Sequence, residues 1–522
     1  MSRLPTVHPT FADRLVNWFN PVAGAQRLRA RMMTAALGGY TGGRRDRRST
    51  RNWRGKEESA NVAVIPDLPD LRWRSRDLIR NMPLAGGAIA TNVTNVIGDG
   101  LVPRPQIDRE LLGLSEIEAD RWQAQARREF MLFAMRSDFT RVQNFFEQQQ
   151  LVFRAQLESG DVLAVRRFRR DAGDSYGLKV QIVEADRLCN QDYQADSDTL
   201  VAGVVINADG VHTSYQIADR HPLDIRNQGA RWTTVPARDT FGDPLVIHMF
   251  ERLRPDLARG VPYLAPVIEA LKMLSDYAEA ELKSALISAM LTVFITRPDA
   301  GNEDAPPVIG DAAANAAANE VELGSGAIVD LAPGEKPEFV NPGRPNPEFD
   351  PFVLSILRQV GVALDLPFEI LIKHFTSSYS ASRAALEMAW QMFRRRRTLV
   401  ADRFCDPVYA WLITEAVASG RLIAPGFFED PVVRAAWLGC EWDGTSPIAL
   451  DPKKEADADK VDLETGAKTL EEITQQRTGG NWRRKIEQRG LEEKLKREVG
   501  MLAATPSQPT PDPLAPADPL EE

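Results

Sequence analysis

The stretch Leu366–Arg397, LPFEILIKHFTSSYSASRAALEMAWQMFRRRR, decides how the rest of the chain is read. It opens with an apolar hook, Phe368 to Phe375, interrupted by Glu369 and by the pair Lys373–His374. Thr376, Ser377 and Ser378 follow, and a hydroxyl there can accept the orphan N–H bonds of a helix that comes next. From Ser382 the period is helical, with Ala385, Met388, Ala389, Met392 and Phe393 recurring at steps of three and four. Four arginines, Arg394 to Arg397, close the run, and Pro407 would break or kink a continuing helix. Local physics predicts a loop with apolar and basic tips mounted on a long helix. No function follows from that alone.

Working outward, composition sets bounds. A chain of 522 residues has room for roughly two to four domains, and its apolar and charged fractions are those of a folded protein. The formal net charge of −9 argues against a generic DNA-coating protein, which carries a basic excess. The charge is uneven: Arg44, Arg45, Arg47, Arg48, Arg51 and Arg54 crowd near the N-terminus, in an arm that suits a solvated segment or contact with nucleic acid or a neighbouring subunit. Cys189, Cys405 and Cys440 are far apart and odd in number, so no disulfide framework or zinc pattern is predicted and a reducing site of synthesis fits. The first residues hold no apolar signal-peptide core. Ser284 to Thr296, the best membrane candidate, is about half of the ~20 residues a spanning helix needs. The expectation is a soluble protein made in a cytoplasm, without membrane contact.

Ahead of the hook the chain changes period twice. Leu71 to Asp99 predicts a charged helix broken at Pro83 and a small-residue helix, Ala85 to Val96, stopped by Gly98 and Gly100. Ser115 to Met135 is an amphipathic helix with a capping box of Ser115 and Glu118, and Phe145 to Ser159 is another helix. Between Gly160 and Phe250 short β-branched runs predict strands: DVLAVRRF, LKVQIVEA, LVAGVVIN, HTSYQIAD and PLVIHMF, with a hairpin at Asp209-Gly210. Glu184 and Asp186 could pass for paired catalytic carboxylates, but solvated acids at a strand end are the plainer reading, since no third polar partner is evident. His248 fits a satisfied core histidine, and His212 and His221 lack ligand spacing to any cysteine.

Past Pro266, Val267, Leu271, Leu274, Ala278 and Leu282 form one helical stripe. Glu269, Lys272, Asp276, Glu279 and Lys283 form a charged one, with Glu269–Lys272 and Glu279–Lys283 in pairing register. Such a helix of about 26 residues would span roughly 40 Å. Pro298 to Pro347 is a composition break, low in complexity and then a hairpin around Pro333-Gly334; Gly324 and Gly326 lack the rest of a phosphate loop. Phe349 to Val362 reads as a returning helix. Asp451 caps a further helix with Pro452 at its first position, and Glu455, Asp457, Asp459 and Asp462 stud its solvated face without a calcium-loop pattern. From Ala503 on, six prolines in twenty residues predict disorder.

Several phrases occur in a fixed order. R-S-R-D-L-x-R-N (Arg74 to Asn81) is followed by N-V-x-G-x-G-L (Asn95 to Leu101), VEADRL (Val183 to Leu188) and R-G-V-P-x-L-A-P (Arg259 to Pro266). The hook supplies L-P-F-E and S-Y-S-x-S-R (Ser378 to Arg383), and D-P-x-K-E (Asp451 to Glu455) precedes G-x-x-T-L-E-E (Gly466 to Glu472). Together they resemble the lambda-type portal proteins of tailed phages over about residues 40 to 495. The resemblance implies an α+β, portal-type subunit with long stem helices, a mixed α/β wing, a small clip domain and a helical crown. Its segments would be a flexible basic arm at 1–60, the wing at 61–255, a first stem helix at 256–296 and the clip at 297–347. A second stem helix at 348–365, the tunnel loop at 366–381, a kinked helix and wing return at 382–444, the crown at 445–502 and a disordered Pro-rich tail at 503–522 would follow.

The resemblance also implies a ring, typically of twelve subunits, at one capsid vertex of the virion. Double-stranded DNA would pass through without sequence specificity during packaging and ejection. The terminase large subunit would dock on the clip, a head-completion or tail-connector protein would bind later, and the major capsid protein and scaffold would surround the ring. Ile370, Lys373, His374 and Phe375 would then face DNA. Arg44, Arg45, Arg47 and Arg48, with Arg394, Arg395, Arg396 and Arg397, are candidate contacts with DNA or the capsid interior. No catalytic residue, cofactor or metal ligand is expected: no Walker A, G-x-S-x-G, H-E-x-x-H, C-x-x-C or S-x-x-K set stands in a supporting context, which also argues against the packaging ATPase. Two rivals are a DNA-binding or nuclease-like enzyme, with the arginine arm binding and Glu184 and Asp186 holding Mg²⁺, and a structural capsid or tape-type protein.

Overall fold

The structure is a computed structural model that describes residues 11–37, 48, 52, 55, 57–224, 230–289, 293–295, 328–330, 349–375, 378–447, 451–477 and 482–501. The chain forms two compact units, Met1–Ala63 and Val64–Glu522. In the first, α1 (Phe11–Phe19) and α2 (Pro21–Leu37) meet at Asn20, whose side chain accepts from the N–H groups of Val22 and Ala23. Residues 11–37 are thus helical where a flexible arm is expected, because AQRLRARMMTAAL is built of strong helix formers. Of the arginine block, Arg48 is described and exposed, while Arg44, Arg45 and Arg47 lie outside the described residues.

The second unit begins with α3 (Leu68–Asn81) and α4 (Pro83–Val96). Met82 between them is extended (φ −115°, ψ 113°), the conformation favoured before proline. After β1 (Val102–Pro105) come α5 (Glu116–Ala134), entered through the expected Ser115/Glu118 box, and α6 (Phe145–Ser159), entered through a second box of Asn144 and Glu147. β2 (Asp161–Phe168) pairs antiparallel with β3 (Leu178–Glu184). LVAGVVIN is not one strand: Ala202 (φ 47°) and Gly203 (φ 86°) turn β4 (Leu200–Val201) back on β5 (Val204–Ile206). β6 (His212–Ala218) and β7 (Trp232–Pro236) extend that sheet in the order β4-β5-β6-β7, with Gly210 (φ 77°) at the expected hairpin. β8 (Val246–Phe250) returns to β2, giving the order β3-β2-β8.

A buried cluster of charge joins these layers. Asp161, at the start of β2, lies 2.5 Å from Arg259 Nε, 2.8 Å from Arg72 Nη2 on α3 and 3.1 Å from His248 Nε2 on β8. Arg259 also donates to the carbonyls of Ala185, Leu188 and Ala202, each at 2.7 Å, and Arg72 to Ser159 O at 2.9 Å. Burial pushes the Asp161 carboxyl up, but Arg259 and Arg72 outweigh it and hold the group well below the usual carboxylate range. Burial brings Arg72 down to about 10. Gly160 and Gly260 cross beside the cluster; a Cβ on Gly260 would lie 2.0 Å from Gly160 O, so glycine is a packing requirement there. His248 lies in the core as expected but is satisfied only through Nε2; its buried Nδ1 has no partner among the described residues.

α7 (Ile268–Ala289) has 22 residues and is about 33 Å long, shorter than expected. α8 (Phe349–Ala363) runs back along it, with Tyr277 5.4 Å from Phe349 and 5.5 Å from Phe352, ring to ring. The apolar stripe of α7 is buried only as far as Leu274; Met273, Leu282 and Leu286, with Phe352 and Val362 on α8, are exposed. Lys283 pairs with Glu279 at 2.6 Å, but Lys272 pairs with Asp276 rather than Glu269. β9 (Val293–Ile295) and β10 (Ile328–Asp330) pair in parallel, while Gly324, Gly326 and the hairpin expected at Pro333-Gly334 lie outside the described residues.

The hook contributes one turn, α9 (Phe368–Ile372), followed by α10 (Tyr379–Val400). A π turn at Ala401–Cys405 leads into α11 (Asp406–Ala418), which carries Pro407 in its first turn, and this makes the expected irregularity ahead of the proline. β11 (Cys440–Asp443) pairs antiparallel with β1. Phe145 stacks on Phe404 at 5.5 Å and Phe130 meets Trp442 edge-on at 5.6 Å, so one aromatic core ties both halves of the unit. α12 (Pro452–Thr465) is capped by Asp451, which accepts from Lys454 N–H at 3.2 Å; α13 (Leu470–Arg477) and α14 (Trp482–Glu498) follow. Asp459 and Asp462 are not merely solvated: Lys468 and Arg477 pair with Asp459, and Lys468 with Asp462. Among the described residues no helix is long and apolar enough to cross a membrane. The Pro-rich tail lies outside them.

Asp161→Ala leaves two guanidiniums buried without a counter-charge and should lower stability in urea by about 3–5 kcal/mol; a loss near zero contradicts the role given to the cluster. Acid tests the neighbouring sheet. Burial first, then His248 and Arg252, push His212 down to about 4. The unfolded chain takes up that proton near pH ~6.5, so this histidine removes stability as pH falls from ~6.5 towards 4. His212→Phe should flatten that part of the stability–pH curve.

Candidate functional site

The hook is held from its base. α8 gives way to a turn in which Asp365 takes φ 55° and Leu366 N–H returns to Gly361 O at 2.9 Å. Tyr263 O–H donates to Leu364 O, fastening the turn to the entry of α7. Pro367 then starts α9, its carbonyl accepting from the N–H groups of Ile370 and Leu371. Lys373 ends the turn in the left-handed region (φ 56°), its N–H on Glu369 O.

The four residues expected to face DNA divide. Ile370 is only 8% exposed and belongs to the main core, so it is not a tip. The single turn of α9 lays the side that carries Ile370 and Leu371 against the body of the unit, where apolar side chains are covered. Lys373, His374 and Phe375 lie beyond that turn and are exposed. Neither Lys373 nor His374 has a carboxylate partner among the described residues. Thr376 and Ser377 lie outside those residues; Ser378 occupies the N-cap position of α10, but its hydroxyl meets Ser380 Oγ at 3.2 Å instead of a helix N–H.

The arginine block divides too. Arg396 is buried, donates to Asn92 Oδ1 and stacks 4.4 Å over the Tyr263 ring. Arg397 donates to the carbonyls of Val96 and Asn95 at 2.9 Å and of Thr445 at 2.7 Å, and burial lowers its pKa. These two clamp α10 to the end of α4. Arg394 and Arg395 are exposed, Arg395 lying 3.9 Å from Glu251. The sign was in the spacing: Ala389, Met392, Phe393 and Val400 are buried, and Arg396 falls on their face. α3 shows the same pattern, with Leu68, Arg72, Ser75 and Leu78 buried in steps of three and four.

Glu184 and Asp186 do have polar neighbours. Arg76 pairs with Asp186 and lies 3.3 Å from Glu184, Arg72 lies 4.0 Å from Asp186, and His221 Nε2 lies 3.9 Å from it. Ligand atoms of Glu184, Asp186 and His221 come within 4.8 Å of one another, but guanidinium already supplies the positive charge there, and a magnesium ion would have to displace it. The arrangement is an ion-pair joint between α3 and the end of β3. Beside the hook, α4, α9, α10, α12 and α13 surround a cavity of about 750 Å³ lined in part by Lys373, Phe375, Trp390 and Arg394.

Arg396→Ala should cost about 1.5–3 kcal/mol in urea unfolding, whereas Arg394→Ala, two residues away, should stay within about 0.5 kcal/mol. Equal effects would contradict the division of the block.

Comparison with known proteins supplies the family. Residues 46–397 match the family described as phage portal protein, lambda family. Portal protein B of Escherichia phage lambda is 25% identical over 444 residues, which cover 81% of this chain and 83% of that protein. The portal protein of Escherichia phage N15 is 25% identical over 479 residues, 86% and 89% of the two chains. Among solved structures, a chain from the neck of an empty gene transfer agent particle, computed with C6 symmetry, aligns with a TM-score of 0.42 at 13% identity, over 78% of this chain and 92% of that one. The chain therefore belongs to the lambda family of phage portal proteins, as a subunit of the connector between head and tail.

Proposed function

We propose that twelve copies of this chain close into a ring whose channel carries double-stranded DNA into the head during packaging and out of it during ejection. The observation that carries this reading is the hook: a buried base that leaves Lys373, His374 and Phe375 exposed, with Lys373 and His374 unpaired among the described residues. A few cations at a loop tip touch phosphates without reading bases, and a net charge of −9 keeps the rest of the wall from gripping the duplex. Met273, Leu282 and Leu286 on α7, with Phe352 and Val362 on α8, are apolar and exposed within one subunit. The next copy would cover them. An interface that closes a ring is heterologous, so the two faces of a subunit need not match.

In this scheme residues 297–347, which include β10, are the clip, where the terminase large subunit docks and a head-completion protein later takes its place. The major capsid protein and scaffold meet the wing, and synthesis takes place in the host cytoplasm. Arg44, Arg45, Arg47, Arg48, Arg394 and Arg395 are proposed contacts with DNA or the capsid interior. The role is structural, and the carboxylates that a nuclease would need are paired with Arg76.

Lys373→Glu combined with His374→Ala should leave the ring intact and reduce packaging or genome retention at least tenfold; unchanged packaging would remove the hook's role. Leu282→Glu with Leu286→Glu should leave a folded subunit of unchanged circular dichroism that no longer reaches the roughly 0.7 MDa of a twelve-copy ring. A full-sized ring from that variant would exclude the exposed stem face from the interface.

A further inference from the structure

We propose that the cavity beside the hook binds unpaired single-stranded DNA, as a frayed or overhanging end of a linear molecule would present. The proposal rests on the channel reading of the hook, and adds a ligand to it. At about 750 Å³ the cavity falls within the ~300–1,000 Å³ of sites that enclose a small ligand. One or two nucleotides fit such a volume and a duplex does not, so any DNA that enters has left its partner strand.

The lining holds what single strands bind: flat aromatic faces to stack on and cations that no carboxylate has neutralised. Phe375, 48% exposed, supplies an open face; Trp390 also lines the cavity, with the Arg397 guanidinium 5.3 Å over its ring. Most of the charge along the wall is consumed within the chain. Arg383 pairs with Glu387 at 2.9 Å, Lys454 with Asp451 at 3.4 Å, and Asp459 with Lys468 and Arg477. Lys373 and Arg394 have no carboxylate partner among the described residues, against one lining acid, Glu455 on α12, in the same condition. The surplus is positive and lies on the hook and on α10. A phosphate held by Lys373 and Arg394 would leave its base to stack on Phe375.

The test uses assembled rings of the full chain and fluorescence anisotropy with three probes: a labelled hexathymidylate, an abasic hexamer of equal charge, and a blunt duplex. The hexathymidylate should bind, and the abasic hexamer should bind at least tenfold more weakly. Phe375→Ala should weaken hexathymidylate binding about tenfold with less effect on the duplex, which offers no free base face. Arg394→Ala should weaken both single-stranded probes, with Arg394→Lys restoring much of the loss. Equal binding of the abasic and intact hexamers would overturn the proposal, as would binding by dissociated subunits but not by rings, which would mean that a neighbouring copy fills the cavity. Rings that package DNA yet bind no hexathymidylate would overturn this proposal and leave the channel reading standing. A chain that forms no ring would overturn both.

Discussion

The second unit depends on one buried carboxylate. Asp161 is shared by Arg259, Arg72 and His248, which come from the approach to α7, from α3 and from β8. Each partner alone would be costly to bury, because an unpaired charge in the interior loses its hydration without recompense. Together with the carbonyls of Ser159, Ala185, Leu188 and Ala202 they satisfy one another. The geometry is also demanding, since the backbones of Gly160 and Gly260 must touch to bring Arg259 in. Arg259 stands just ahead of α7, so the cluster sets where that helix leaves the strands.

Arginine does two kinds of work along this chain, and the distinction decides what the hook can present. Arg396 and Arg397 are spent on α4 and Tyr263, which fixes α10 beneath the hook. Tyr263 and Gly361 hold the hook from the side of α7 and α8. What remains exposed after that anchoring is a short tip, Lys373 to Phe375, and the outward cations of α10.

Much of this was legible in the residues, where the determining contacts are local. The Ser115/Glu118 box, Pro83, the β-branched run of β2 and the Asp451-Pro452 start all act within a few residues, and the elements they predict are present. The misreadings lie where a distant group decides. Ala202 bends LVAGVVIN because its carbonyl is taken by Arg259 and Gly203 packs against Cys189. α9 is one turn long, too short for a period to reveal that Ile370 faces inward. In α10 the period was there to be read, since Ala389, Met392, Phe393 and Val400 place Arg396 on the buried face. Arg72 and Arg259 are of a type almost never fully buried, so only the apolar spacing of α3 hinted at the first and nothing nearby at the second.

The central claim is geometric: copies of this chain surround a hole wide enough for duplex DNA, with one hook from each directed at it. A three-dimensional reconstruction of the purified, assembled protein tests that most directly. The account predicts a closed ring in which Lys373, His374 and Phe375 are the side chains nearest the symmetry axis, with α7 and α8 of adjacent copies packed through Leu282, Leu286 and Phe352. A compact monomer, or a ring whose hooks point away from the axis, would contradict it.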